Sequence, residues 1–130
     1  MSHDVRMAGR ADLVAMLALY RHLNPDDPEA DIERAGISWD ALIASPIVEV
    51  LVLERAGAIV SSCTLIIVPN VTRGVRPYGL IENVVTHADH RRAGLASAVV
   101  AAALDRAWAA TCYKVMLATG SQQPETLRFY

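Results

Sequence analysis

Six residues carry the most chemistry in this chain: Arg91-Arg92-Ala93-Gly94-Leu95-Ala96. They follow an apolar run, Gly79 to Thr86, and open an amphipathic stretch of helical period. A helix N-terminus presents unpaired main-chain N–H groups and the positive end of the helix dipole. Gly94, with the small Ala93 and Ala96, lets an anion approach that backbone, and Arg91 and Arg92 add positive charge. The segment reads as a site for a phosphate or pyrophosphate. It is not a P-loop, since no Gly-Lys-Ser/Thr follows, and it lacks the Gly-x-Gly-x-x-Gly of a dinucleotide fold.

Glu82 is the one acid inside the apolar run that leads to this turn. A carboxylate there is costly unless paired or wet. It is a candidate general base acting through water, or a binder of a cationic substrate. Pairing with an arginine such as Arg73 or Arg76 is the plainer alternative. Strand alternation sets it on the face of Leu80 and Val84, opposite Asn83. His87 and His90 flank the turn without a third metal ligand nearby, and they read as exposed turn residues, as His3 and His22 read as surface. No metal is expected. Ser61, Ser62 and Cys63 share a strand with no His–Asp pair near them in sequence, which argues against a nucleophile. Cys63 and Cys112 have no CxxC spacing and read as reduced, buried packing residues. Trp39 and Trp108 occupy helical packing positions rather than a base-stacking array.

The elements that must position these residues follow from periodicity. Val5 to Ala8 is a short strand. Residues 11–23 place Leu13, Met16, Leu17 and Tyr20 on one helical face, and Pro25 and Pro28 end that helix. A second helical stretch is expected over Glu29 to Ala35, and a further turn or helix over Ser38 to Ala44, with Ser38 as a cap. Val48–Arg55 and Ala58–Val68 form a hairpin across the turn Ala56-Gly57. After the Pro69–Pro77 loop come a strand over Gly79–Thr86, a helix over Leu95–Ala110 and a strand over Tyr113–Ala118. Pro124 opens a last helix. The order is β-α-α-β-β-β-α-β-α, an α/β (α+β) domain with a mixed, mostly antiparallel sheet flanked by helices. The last two strands are parallel across a strand–helix–strand unit.

Composition bounds the reading. The chain has 130 residues, 53% of them hydrophobic and 20% charged, which fits one domain, 1–130, with a real core. The net charge of −2 leaves no footprint for generic nucleic-acid or membrane binding. Apolar runs are short, the longest stopping at Asp105, and the first residues carry no secretory pattern; a cytoplasmic protein is expected. Asp26, Asp27, Glu29 and Asp31 either attract a cationic amine or form a solvated loop.

Arg91-x-x-Gly94-x-Ala96 resembles the CoA-binding signature of the GNAT superfamily of N-acetyltransferases, Arg/Gln-x-x-Gly-x-Gly/Ala. The stretch from Leu80 to Val100 resembles that family's fourth strand, turn and long helix, with Ala88 where a proline is usual. Arg128-Phe129-Tyr130 resembles its later Phe-Tyr pair. The resemblance implies acetyl-CoA as cosubstrate. The backbone of Arg92, Ala93, Gly94, Leu95, Ala96 and Ser97, with Arg91 beside them, would hold its pyrophosphate. Val84, Val85 and Thr86 would pair with the pantetheine arm, and a main-chain N–H near Val84 or Val85 would face the oxyanion. Tyr130 would protonate the leaving thiolate, unless it only packs beside Phe129. The implied activity is acetyl transfer to a primary amine of a small molecule or protein, the acceptor lying over the first helices and the Pro69–Pro77 loop. Ile81-Glu82 resembles a pair found in sugar-phosphate amine acetyltransferases of the family. Family members continue past the Phe-Tyr pair with two more strands. The expectation is therefore a C-terminally incomplete domain, or a homodimer that covers the 113–118 edge. A non-catalytic acyl-CoA-binding or interaction protein, and a binder of another phosphate ligand, are the competing readings.

Overall fold

The structure, a computed structural model, describes residues 4–117. Five strands form one sheet in chain order: β1 (Val5–Met7), β2 (Val48–Arg55), β3 (Ala58–Val68), β4 (Tyr78–Thr86) and β5 (Val115–Leu117). The first four pair antiparallel, and β5 joins β4 in parallel. Helices α1 (Leu13–Tyr20) and α2 (Ile32–Ala44) lie between β1 and β2, and α3 (Leu95–Ala109) lies between β4 and β5. This is the expected α/β order as far as β5. The final helix expected from Pro124, and the end of the last strand at Ala118, lie outside the described residues.

Strand periodicity divides the core between the two faces of the sheet. Leu51, Leu53, Cys63, Leu65 and Ile81 face α3 and pack on its Leu95, Val99, Ala103 and Ala107. Val50, Val52 and Val85 face the other way, onto Met16, Leu19 and Trp39 of α1 and α2. Alternate residues of one strand thus feed opposite layers, the arrangement a two-sided sheet demands. Small side chains let α3 sit close. A Cβ added at Gly79 would lie 3.6 Å from the Cβ of Ala107 and 3.4 Å from a methyl of Val115.

Three local readings change. The helix expected over 29–35 and the separate turn or helix expected over 38–44 are one helix, α2. Asp31 caps it by accepting the Glu33 N–H at 3.0 Å. Ser38 is an exposed mid-helix residue, and burial of Trp39 with Leu42 and Ile43 carries the helix through Gly36. Trp39 also donates its indole N–H to the Gly9 carbonyl at 3.1 Å. Trp108, by contrast, is half exposed. Near the N-terminus, a 3-10 turn at Arg10–Asp12 precedes α1. Arg6 there bridges Asp12 and Glu54, and that guanidinium holds the Asp12 carboxyl below its ordinary range.

Candidate functional site

The site forms where β4 hands the chain to α3. Glu82 pairs with Thr64 across the sheet and Val85 pairs with Ser62, so three steps on β4 match two on β3. The extra residue is a β-bulge. Asn83 takes it with a φ of +52°, in the left-handed region that asparagine tolerates better than most residues. The bulge corrects the simple alternation. Glu82 shares the face of Thr64 and Val50, whereas Val84 packs with Ile81 on the α3 side. Glu82 and Asn83 are exposed; Val85 and Thr86 are buried.

Glu82 makes no hydrogen bond or ion pair among the described residues. The arginines that could have satisfied it are turned elsewhere: Arg73 and Arg76 lie over the ring of Tyr113, at 5.6 and 6.0 Å. Tyr20 of α1, read from sequence as a packing residue, comes against Thr64, the register partner of Glu82. Burial pushes its phenol above the ordinary range.

Beyond Thr86 the chain makes a 3-10 turn at Ala88–His90, then Arg91 extends and Arg92 and Gly94 take φ of +65° and +76°. Gly94 is the N-cap of α3, and no side chain caps that helix. Its first main-chain bond is Ala98 N–H to the Gly94 carbonyl. The N–H groups of Leu95, Ala96 and Ser97 are therefore the orphan donors of the first turn. A Cβ at Gly94 would meet nothing within 4 Å, so glycine is required there by the dihedral, and the space above the turn is open. Left-handed residues alternating with others bring successive N–H groups to one side, an anion-binding concavity. Arg91, Arg92, Ala93, Gly94 and Ser97 are exposed around it, with Leu95 buried beneath. Such donors suit an anionic group such as a phosphate or pyrophosphate.

Arg91 has a second task that the sequence did not signal. Its guanidinium donates to the Thr86 carbonyl at 3.3 Å and to the His22 carbonyl at 3.1 Å, tying the turn to the end of α1. His22 accepts the Ala88 N–H through Nδ1 at 3.3 Å and packs against His87, ring centroids 4.0 Å apart and planes tilted by 41°. His87 accepts the Asp89 N–H in the same way at 3.1 Å and meets His90 edge-on. The three histidines are half-buried parts of the turn's scaffold rather than surface residues. Sixty-five positions separate His22 from His87, so no local pattern links them. Among the described residues no His, Cys, Asp and Glu group is arranged to hold a metal ion.

The nucleophile candidates are spent on structure. Ser62 donates to the Leu51 carbonyl at 2.8 Å, and Ser61 to the Val85 carbonyl at 3.1 Å. Burial pushes the Cys63 thiol up to about 12, far from a reactive thiolate, and raises Cys112 too. Both cysteines are free. Tyr130 and its neighbours Arg128 and Phe129 lie outside the described residues, as does His3.

Known proteins share this fold. The sequence profile of the Acetyltransferase (GNAT) family matches residues 16–130. A glucosamine 6-phosphate N-acetyltransferase of Trypanosoma brucei brucei is 33% identical over 98% of this chain and 84% of its own length. A solved structure from Agrobacterium tumefaciens str. C58, provisionally named an acetyltransferase, is 45% identical. It superposes with a TM-score of 0.93 over 98% of this chain and 88% of its own. The glucosamine-6-phosphate N-acetyltransferase of Arabidopsis thaliana is 22% identical and shares the fold, with a TM-score of 0.84 over 100% of this chain and 88% of its own. The chain belongs to the acetyltransferase (GNAT) family, whose members use acetyl-CoA.

Proposed function

We propose that this GNAT-family acetyltransferase moves the acetyl group of acetyl-CoA directly to the primary amine of a small molecule or protein. The observation that carries the reading is the uncapped, glycine-started N-terminus of α3 at the end of β4. Main-chain donors from Arg92 to Ser97 would hold the pyrophosphate, using the helix dipole and the left-handed turn. Arg91 would serve mainly by fixing the turn. Val84, Val85 and Thr86 would pair with the pantetheine arm. The bulge at Asn83 supports that role, because it interrupts the β3–β4 ladder where a free N–H is needed for the oxyanion.

Two roles remain for side chains. Glu82, exposed and without a partner among the described residues, would take a proton from the attacking ammonium through water. The amine nitrogen then bonds to the thioester carbonyl carbon, and the C–S bond breaks. Tyr130 would return a proton to the departing thiolate, a task suited to a phenol that is neutral near pH 7. Acceptors named for the relatives, amino sugar phosphates, agree with the Ile81-Glu82 pair.

Calorimetric titration with acetyl-CoA tests the reading. The native chain should bind. Gly94→Glu should lose binding, and so should Ala96→Glu, which puts a carboxylate near the same donors while suiting a helix N-terminus. Loss of at least roughly tenfold in affinity with native circular dichroism is the expected result. No binding by the folded native chain would overturn it. Binding of acyl-CoA without acetylation of any amine in a broad panel would favour the non-catalytic reading.

A further inference from the structure

Four polar side chains are buried among the described residues: Ser61, Ser62, Thr64 and Thr86. All four lie where β3 meets the far half of β4, around the bulge. Ser61 is set in apolar company. Its register partner on β2 is Leu53, which puts it on the α3 face with Cys63, Val84 and Leu95. A hydroxyl there costs free energy unless it is hydrogen-bonded. An alanine would fill the spot at no polar cost, so what the hydroxyl touches is informative.

Ser61 Oγ lies 3.1 Å from the Val85 carbonyl oxygen and 3.0 Å from Thr86 Oγ1. A serine has one proton to give, and a carbonyl can only accept. That proton therefore goes to Val85, and the Thr86 hydroxyl donates to Ser61 Oγ. The result is a directed chain from the Thr86 hydroxyl through Ser61 to the Val85 carbonyl, in which each bond strengthens the next. It ends on the Val85–Thr86 peptide. That peptide is trans, so its carbonyl and its N–H point opposite ways. His87 donates its N–H to the Val60 carbonyl at 2.8 Å, and two residues earlier Val85 faces Ser62 in the same sense. The Val85 carbonyl is thus directed toward β3, and the Thr86 N–H away from it. The Thr86 carbonyl agrees, since its partner at 3.3 Å is Arg91, outside the sheet. On that outer side β5 pairs with β4 from Gly79 to Ile81 and no further among the described residues. The Thr86 N–H opens onto the space beside β4, next to the turn that starts α3.

We infer that Ser61 is a positioning residue for acetyl-CoA: its hydroxyl fixes and polarises the Val85–Thr86 peptide so that the Thr86 N–H donates to an amide carbonyl of the pantetheine arm. The inference rests on the acetyl transfer proposed above and adds to it a residue of β3, which reaches the arm only through the main chain. Drawing electron density onto the peptide oxygen makes the N–H of the same peptide a better donor. A peptide already locked in place also loses less freedom when the arm binds.

The test combines nuclear magnetic resonance of the isotope-labelled full chain with calorimetric titration by acetyl-CoA. Without ligand, Ser61→Ala should move the Val85 carbonyl carbon and the Thr86 amide proton upfield, the sign of weaker hydrogen bonding. The amides of Leu95, Ala96 and Ser97 should stay in place. Affinity for acetyl-CoA should fall about three- to tenfold, the worth of one hydrogen bond. ADP, which carries a pyrophosphate without the pantetheine arm, should bind native and variant alike. Thr86→Val keeps the shape and removes the first donor of the chain. It should weaken acetyl-CoA binding by a smaller factor, and Thr86→Ser should regain most of that loss. Native acetyl-CoA affinity in Ser61→Ala would overturn the assignment. So would equal losses for acetyl-CoA and ADP, which would make Ser61 a structural support of the turn. If Ser61→Ala does not fold, Thr86→Val against Thr86→Ser decides by the same comparison. A native chain that binds no acetyl-CoA overturns the proposed function and this assignment with it, whereas binding that the variants leave unchanged overturns the assignment alone.

Discussion

Glu82 shows how much of a residue's role depends on what it is not bonded to. Its type and its place in an apolar run were visible in the sequence, together with two arginines that could have neutralised it. The fold sends those arginines to Tyr113 and leaves the carboxylate exposed beside the bulge. Its face was misread relative to Val84, because alternation counts residues evenly and the left-handed Asn83 adds one. Glu82→Gln preserves shape and removes the base. In steady-state kinetics at saturating acetyl-CoA, kcat should fall about a hundredfold or more, with acetyl-CoA affinity unchanged. A kcat within a few fold of native would assign Glu82 to acceptor binding or to structure.

The turn between β4 and α3, the proposed anion site, is legible in the sequence because its signals are local: a glycine, two small residues and the start of an apolar helical period. What holds the turn is not local. Arg91 and His22 clamp it to the end of α1 through main-chain groups. Arg91→Met should cost about 1.5–3 kcal/mol in denaturant unfolding, the range for hydrogen bonds made by a charged group, and weaken acetyl-CoA binding as well. His22 adds a pH dependence. Burial, then the neighbouring His87 and Arg91, lower its pKa, against a smaller opposing effect of Asp89. A histidine whose folded pKa is lowered stabilises the fold in its neutral form. That contribution is complete above the unfolded value of about 6.5 and is lost as pH falls below it. The acceptor role of Nδ1 toward Ala88 agrees, since a protonated ring cannot accept. Between pH 7 and pH 5 the native denaturation midpoint should fall more steeply than that of His22→Ala. Parallel slopes would remove His22 from the clamp's pH response.

The whole molecule is a sheet with a core on each face, and both cysteines sit inside it. Cys63 donates to the Val99 carbonyl at 3.4 Å, and Cys112 is 5% exposed. With burial holding both thiols protonated, neither should react with a thiol reagent at pH 8 in the folded chain. Both should react once denaturant unfolds it, with the labelled fraction following the circular dichroism transition. Fast labelling of one cysteine under native conditions would mean that its layer opens alone. Among the described residues no helix is long and apolar enough to cross a membrane.

By itself the sequence determined the strand and helix order as far as β5, the hairpin at Ala56-Gly57, the parallel β4–β5 pair and the glycine turn that opens α3. Each depends on hydrophobic period or on turn chemistry within a few residues, and such signals survive in one dimension. The tertiary structure alone decided the bulge that reorients Val84, the continuity of α2 through Gly36, the His22–His87 contact and the cations on Tyr113. These depend on which distant segments the sheet brings side by side. A partner chosen across dozens of residues by register and packing leaves no mark in the spacing of either segment.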